Sequence, residues 1–275
     1  MINNKTKEKY LNKFFGKLYV KDIYKKDGIN FCICSCECGN ENYHIRAYDL
    51  KKVNSCGCIK SNNGKLLIDK NRNKMLGKIY PTNNNGLFKT VDYINKSKVK
   101  IKFIDTGFET YVSVSQVYSG EIKDPYRPLK YGQYIGVGRF KTHHSGDERK
   151  PTFEYNKWRW MILRCYDENE LKKEPSYIGC KVCEEWLNFQ NFARWIYDNK
   201  YECDDLELDK DLLIKGNKIY SPNTCCLLPH EINYAISMCF DRNRHVFLLN
   251  KYNNILPKHI LDAYITLINS IEEVA

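Results

Sequence analysis

Two groups of residues have the types and spacing for chemistry, and the first lies between residues 206 and 233, which read LELDKDLLIKGNKIYSPNTCCLLPHEIN. Leu206 and Leu208 alternate with polar neighbours, which predicts a short strand ending at Asp209. Lys215-Gly216-Asn217 is turn chemistry, and Ile219-Tyr220 and residues 225–228 read as returning extended pieces. Pro229 opens a helix, because the first turn has no use for its missing N–H. Asn233 then lies one turn further on, placed to face back toward Asp209. A carboxylate at a strand end and an amide on the next helix make an oxygen-ligand site for Mg²⁺ or another divalent cation. Lys210, flanked by Asp209 and Asp211, keeps its proton at an ordinary pKa of about 10.4, so it suits charge neutralisation better than proton abstraction. His230 lies three residues before Asn233, within one helical turn of it.

The second group is Cys36-Glu37-Cys38-Gly39 and Cys56-Gly57-Cys58. Two Cys-x-Cys knuckles supply four thiolates for the corners of a tetrahedron, which is the coordination of structural zinc. Cys36, Cys38, Cys56 and Cys58 are the expected ligands, with Cys34 able to replace one. Four thiolates leave no open position, so this site would hold structure and not catalyse. A further grouping of Cys165, Cys180 and Cys183 with Cys225 or Cys226 offers a second zinc site. Thirteen cysteines in a chain with no opening signal sequence or membrane-length apolar run point to a reducing, cytoplasmic setting and no membrane partner.

The elements that must position these groups follow from periodicity. Residues 1–60 read as a basic arm and a Cys-rich, zinc-ribbon-like module, and 61–75 as a polar linker. Within 76–125, residues 87–94, 99–104 and 108–117 alternate like strands, giving a small antiparallel β domain of SH3-like or barrel-like form. Lys96, Lys98, Lys100 and Lys102 fall on one face of that sheet, spaced to track phosphates. Residues 126–154, rich in Gly and Tyr, read as a connector. In 155–275, Trp158, Met161, Ile162 and Cys165 share one helical face, and Trp186, Phe189, Phe192, Ala193 and Ile196 share another. Residues 256–274 form a closing helix. The fold class expected is α+β.

Charge divides the chain unevenly. The net +11 is the sum of residues 1–74 with 16 Lys+Arg against 7 Asp+Glu, residues 75–155 with 13 against 8, and residues 156–275 with 15 against 18. The N-terminal part is therefore the one suited to a polyanion, and the acidic C-terminal part to a cation.

The order of residues in 206–233 resembles the ββα-metal finger of HNH nucleases. Asp209 matches that family's metal-binding carboxylate and Asn233 its helix Asn, Asn223 is nearest to its middle Asn, and Lys210 stands where the family has its general-base His. The resemblance implies an ion at Asp209 and Asn233 that stabilises charge on the scissile phosphate, with Lys210 neutralising phosphate charge and His230 as the substitute base that activates water. The wider run through Trp158, Arg164-Cys165-Tyr166, Gly179-Cys180, Trp186 and Phe189 to Asn233, roughly half the chain, looks like phage-encoded HNH-type homing endonucleases, which often carry a Cys-rich N-terminal module. The resemblance implies a C-terminal α+β domain built on that finger, double-stranded DNA as partner, metal-dependent cleavage of its phosphodiesters, and the host cytoplasm as location. The departure at Lys210 implies an alternative: a catalytically inactive DNA-binding or regulatory protein on a degenerate HNH scaffold.

Overall fold

The computed structural model describes residues 2–271, a mixed α and β chain in two compact units that divide between residues 122 and 123. In the first unit Asn3 accepts from the Lys5 N–H and starts α1 (Asn4–Tyr10). β1 (Phe14–Phe15), β2 (Leu18–Lys26), β3 (Ile29–Cys36) and β4 (Tyr43–Arg46) follow as an antiparallel meander in chain order. Asp27 and Gly28 close the β2–β3 hairpin with positive φ at both positions, the combination a two-residue turn needs to match strand twist. Alternation turns Leu18, Val20, Cys32, Cys34 and Cys36 into a core with Leu50. Cys32 and Cys34 are thus core residues, and burial pushes both thiols up to about 11.

Residues 61–75, expected as a linker, are helical: α2 runs Cys58–Met75. Its C-terminal end is tied to the next sheet. Arg72 donates from Nε and Nη2 to the Tyr93 carbonyl at 3.1 and 3.0 Å, the Thr90 hydroxyl donates to the Met75 carbonyl, and Met75 is buried. That sheet is a second antiparallel meander of β5 (Ile79–Pro81), β6 (Leu87–Asn95), β7 (Lys98–Phe103) and β8 (Glu109–Val112). Phe88, Tyr93, Val99, Ile101 and Phe103 fill its core. The strand expected over 108–117 stops at Val112, because Ser113 and Gln116 form a capping box that starts α3 (Val114–Ser119) and satisfies two helix-end donors reciprocally.

The second unit begins with the Gly- and Tyr-rich segment, which is no loose connector. Gln190 bonds Phe140 in both directions, Phe140 N–H to Oε1 and Nε2 to the Phe140 carbonyl, each at 3.0 Å. A Cβ on Gly138 would lie 2.1 Å from Gln190 Oε1, so only glycine permits this approach. β9 (His143–His144) and β10 (Asp147–Pro151) form a small hairpin. Thr152 caps α4 (Phe153–Tyr166), and α5 (Glu168–Lys173), β11 (Lys181–Val182), α6 (Glu184–Leu187) and α7 (Phe189–Asn199) follow. The expected helical faces of α4 and α7 meet in one core, where Trp158 Nε1 donates to the Trp186 carbonyl at 2.7 Å.

β12 (Leu206–Asp209), β13 (Ile219–Tyr220) and β14 (Cys226–Pro229) come next, then α8 (His230–Ser237), α9 (Arg242–Tyr252) and α10 (Lys258–Ser270). β12 pairs antiparallel with β14, Leu206 opposite Pro229 and Asp209 opposite Cys226. β13 leaves that pair and runs parallel to β11. A second apolar cluster joins Leu228, Ile232 and Ala235 to Leu248 of α9 and to Ile260, Tyr264 and Ile268 of α10. The closing helix is shorter than the 256–274 expected, and residues 272–274 of that span lie outside the described residues. Among the described residues no helix is long and apolar enough to cross a membrane.

Candidate metal centre and acidic cleft

β3 ends in the first knuckle, and α2 begins in the second. The Gly39 N–H bonds the Cys36 carbonyl at 2.9 Å and the Cys36 N–H bonds the Asn40 carbonyl at 2.8 Å, folding Cys36 and Cys38 onto one side of a tight turn. Gly57 takes φ +102° as the N-cap of α2, a conformation costly for any residue with a Cβ. The four sulfurs of Cys36, Cys38, Cys56 and Cys58 lie within 4.8 Å of one another. Cys36 and Cys58 are 3.8 Å apart and Cys38 and Cys56 3.4 Å. Zinc–sulfur bonds of about 2.3 Å require tetrahedral edges of about 3.8 Å, so the donor set fits a metal ion.

Electrostatics agree with the geometry. The backbone N–H groups of Cys38 and Cys56 face the Cys36 sulfur and hold its thiol down at about 6. At Cys38 the Asn40 N–H also favours the thiolate, but the crowding sulfurs of Cys56, Cys36 and Cys58 push it up to about 12. Four thiols this close resist losing all their protons unless a cation compensates them. Cys58 is also the first residue of α2, where the positive end of the helix dipole faces sulfur. Cys34, the expected substitute, is not among the four cysteines whose sulfurs gather. Cys165, Cys180, Cys183 and Cys225 form no second metal cluster among the described residues. Cys165, Cys180 and Cys225 are buried in the apolar core of the second unit, and burial pushes all three thiols up.

In the second unit Asp209, Lys210 and Asn233 line one cleft of about 800 Å³. β12 is its floor, with Asn156, Trp160 and Arg164 of α4 and Asn233, Tyr234 and Ser237 of α8 on its walls. Asp209 is buried, and its Oδ1 accepts from the Asp211 and Leu212 N–H groups at 3.0 and 2.7 Å. Burial pushes its carboxyl up despite these donors. Lys210 is buried too. Burial opposes its charge, but Asp211 at 2.7 Å outweighs that and holds the ammonium above the ordinary lysine value.

His230 and Asn223 do not line this cleft. His230 opens α8 with an exposed side chain, its Nδ1 3.9 Å from Glu207 Oε1 and its ring stacked on Tyr234. Arg164 was not anticipated. Its guanidinium lies over the Tyr177 ring, and it makes no ion pair among the described residues. The spacing 156, 160, 164 on a helix was the sequence signal for it. Lys157 pairs with Glu207 at 2.8 Å across the floor.

On β7, Lys98, Lys100 and Lys102 share the face opposite the buried Val99, Ile101 and Phe103, while Lys96 sits in the preceding turn. Glu109 pairs with Lys100 and Lys102 at 2.6 and 3.6 Å, and the Lys98 ammonium lies over Tyr111. Acidic pairing therefore spends much of that stripe's charge internally. Comparison with protein-family models, with curated proteins and with solved structures finds no match to this chain.

Proposed function

We propose that this protein binds double-stranded DNA and cleaves its phosphodiesters with a divalent cation at the Asp209 cleft, using an HNH-like ββα finger, while zinc at the four cysteines holds the N-terminal module. The observation that carries the reading is the joint presence of Asp209, Lys210 and Asn233 in one cleft, on an antiparallel strand pair that runs straight into a helix. Oδ1 of Asp209 is engaged by backbone donors, so Oδ2 is the oxygen offered to a cation, with the Asn233 amide as second ligand. Bound there, the cation supplies Lewis-acid stabilisation of a leaving oxygen. Arg164 and Lys210 contribute positive charge toward the phosphate. Carboxylates outnumber cationic side chains around the cleft, so a phosphodiester enters only with a compensating cation.

The test is nicking of supercoiled DNA in Mg²⁺ or Mn²⁺ against a chelator control. Asp209→Ala abolishes nicking and leaves DNA affinity within about twofold, because the carboxylate serves the cation. Nicking that survives Asp209→Ala places the activity elsewhere. A second reading, a DNA-binding protein whose finger is catalytically silent, is favoured by the ion-paired Lys210 and by His230 lying outside the cleft. Lys210→His separates the two. A silent parent that gains metal-dependent nicking as Lys210→His is a degenerate nuclease, since a missing general base costs about 10²–10⁴-fold in rate.

A further inference from the structure

Helix α2 is poor in everything that normally holds a helix against a protein. Every position from residue 59 to residue 67 is exposed, including Leu66 and Leu67 at 67% and 59%. Gly64 lies in its middle and disfavours helix formation. A helix that is polar all round holds where it bridges other elements or is laced by i,i+4 pairs. Both ends are fixed, the first at Cys58 in the metal centre and the last by Arg72 and Met75 on the second sheet. Between them the helix is a rod of about 27 Å.

One face of that rod has a single chemistry. Lys60, Asn63, Leu67, Lys70 and Lys74 recur at steps of three and four, so they form one stripe, and all five are exposed. Among the described residues none of the three lysines makes an ion pair. The helix's one acid, Asp69, lies on another face and contacts Arg72 at 3.9 Å. This contrasts with β7, whose lysines are answered by Glu109.

We infer that α2 is the recognition helix of this protein and lays the stripe of Lys60, Asn63, Leu67, Lys70 and Lys74 into the major groove of duplex DNA. The inference rests on the DNA-binding part of the proposed function and is independent of cleavage. The major groove, about 12 Å wide, admits an α-helix. The three lysines span its length and meet phosphates, which position a protein without reading sequence. Asn63 and Leu67 lie between them, where an amide pairs bidentately with adenine and an apolar group meets the thymine methyl. The metal centre then acts as the mount that fixes the start of the reading helix.

The test is fluorescence anisotropy of the full zinc-loaded chain on a labelled 30-base-pair duplex of random sequence, titrated with NaCl. Three variants are compared with the parent: Lys60→Ala/Lys70→Ala/Lys74→Ala, a control of equal charge change (Lys25→Ala/Lys26→Ala/Lys51→Ala), and Asn63→Ala. Alanine favours helix, so the stripe variant keeps α2, and circular dichroism and zinc content verify this. Each lost phosphate contact removes about 0.9 from the slope of log affinity against log salt. The stripe variant should therefore lose about 2.7, and the control less than 1. Asn63→Ala should bind the random duplex within twofold of parent and lose its preference at an A·T position in a selected pool. Equal slope losses for stripe and control overturn the inference while leaving DNA binding intact. So does a stripe that proves to join two copies of the chain, seen as Leu67→Ala converting a dimer to monomer in sedimentation. A parent that binds no duplex overturns the DNA reading itself.

Discussion

Asp209 sits in a place that resists charge. Its carboxyl is pushed up by burial, so the folded state binds its proton more tightly than the unfolded chain does. Stability contributed by that proton is present at low pH and is lost as pH rises through the folded value. Asp209→Asn keeps an oxygen for the Asp211 and Leu212 N–H groups and removes the charge. In urea unfolding at neutral pH without divalent cation, its midpoint should lie above that of the parent. Adding Mg²⁺ should then raise the parent's midpoint and leave that of Asp209→Asn unmoved. His245 runs the other way. It is buried, its Nδ1 is 2.9 Å from the Tyr264 hydroxyl, and burial pulls it below 6.5. The unfolded chain takes its proton first, so stability is lost as pH falls below about 6.5. His245→Asn retains a hydrogen-bonding side chain for Tyr264 and should flatten the change in unfolding midpoint between pH 7.5 and 5.5. Asp209 was legible in the sequence because strand alternation ends there. The aim of His230 was not, because the first residue of a helix points where the preceding turn sends it.

At the scale of elements, the cysteine knuckles could be read from spacing and glycine alone, because a tetrahedral ion tolerates few arrangements of four sulfurs. Helix α2 could not. Its residues have no apolar period, and it is helical by virtue of what holds its two ends. The strand-to-helix switch at Ser113 was written in the Ser113–Gln116 pair, but alternation through Val112 and Val114 masked it. The Gly- and Tyr-rich segment hid its packing because a glycine that admits a neighbour looks the same in sequence as one that merely turns. Gly138→Ala tests that reading. Its Cβ would collide with Gln190, which is buried and bonded twice to Phe140, so the strain is not relieved by swinging the side chain away. Overpacking of this kind costs about 1–3 kcal/mol, and a loss of that size should appear in chemical denaturation. Gly146→Ala, with nothing within 4 Å of its Cβ, should show less despite its positive φ. Gly138 has no positive φ, so a loss there no larger than at Gly146 would mean that Gln190 gives way to the new methyl group.

At the scale of the whole molecule, the four-cysteine cluster lies in the more basic part of the chain, while the largest apolar cluster lies in the second unit. The Cys-bearing meander packs a modest cluster around Leu18, Val20 and Leu50, while residues 156–275 contain all four tryptophans, Trp158 and Trp186 among the largest buried side chains. A structural zinc site contributes about 10–16 kcal/mol to folding in small modules, as much as the whole stability of an ordinary domain, about 5–15 kcal/mol. Metal removal should therefore unfold the Cys-bearing meander and release the start of α2, leaving the second unit folded. The distribution of tryptophan makes this measurable in one sample. Elemental analysis of the purified chain should give about one zinc. On treatment with a zinc chelator, far-ultraviolet circular dichroism should lose strand and helix signal while tryptophan emission keeps its wavelength, because every reporter sits in the other unit. Cys56→Ser should reproduce the chelated state without chelator. Affinity for duplex DNA should fall together with the dichroism signal, since the helix proposed to read the groove begins at the four-cysteine cluster. A red shift of tryptophan emission on chelation would mean that the two units fold as one. An unchanged dichroism spectrum in metal-free protein would mean that the four thiols are held by the core alone.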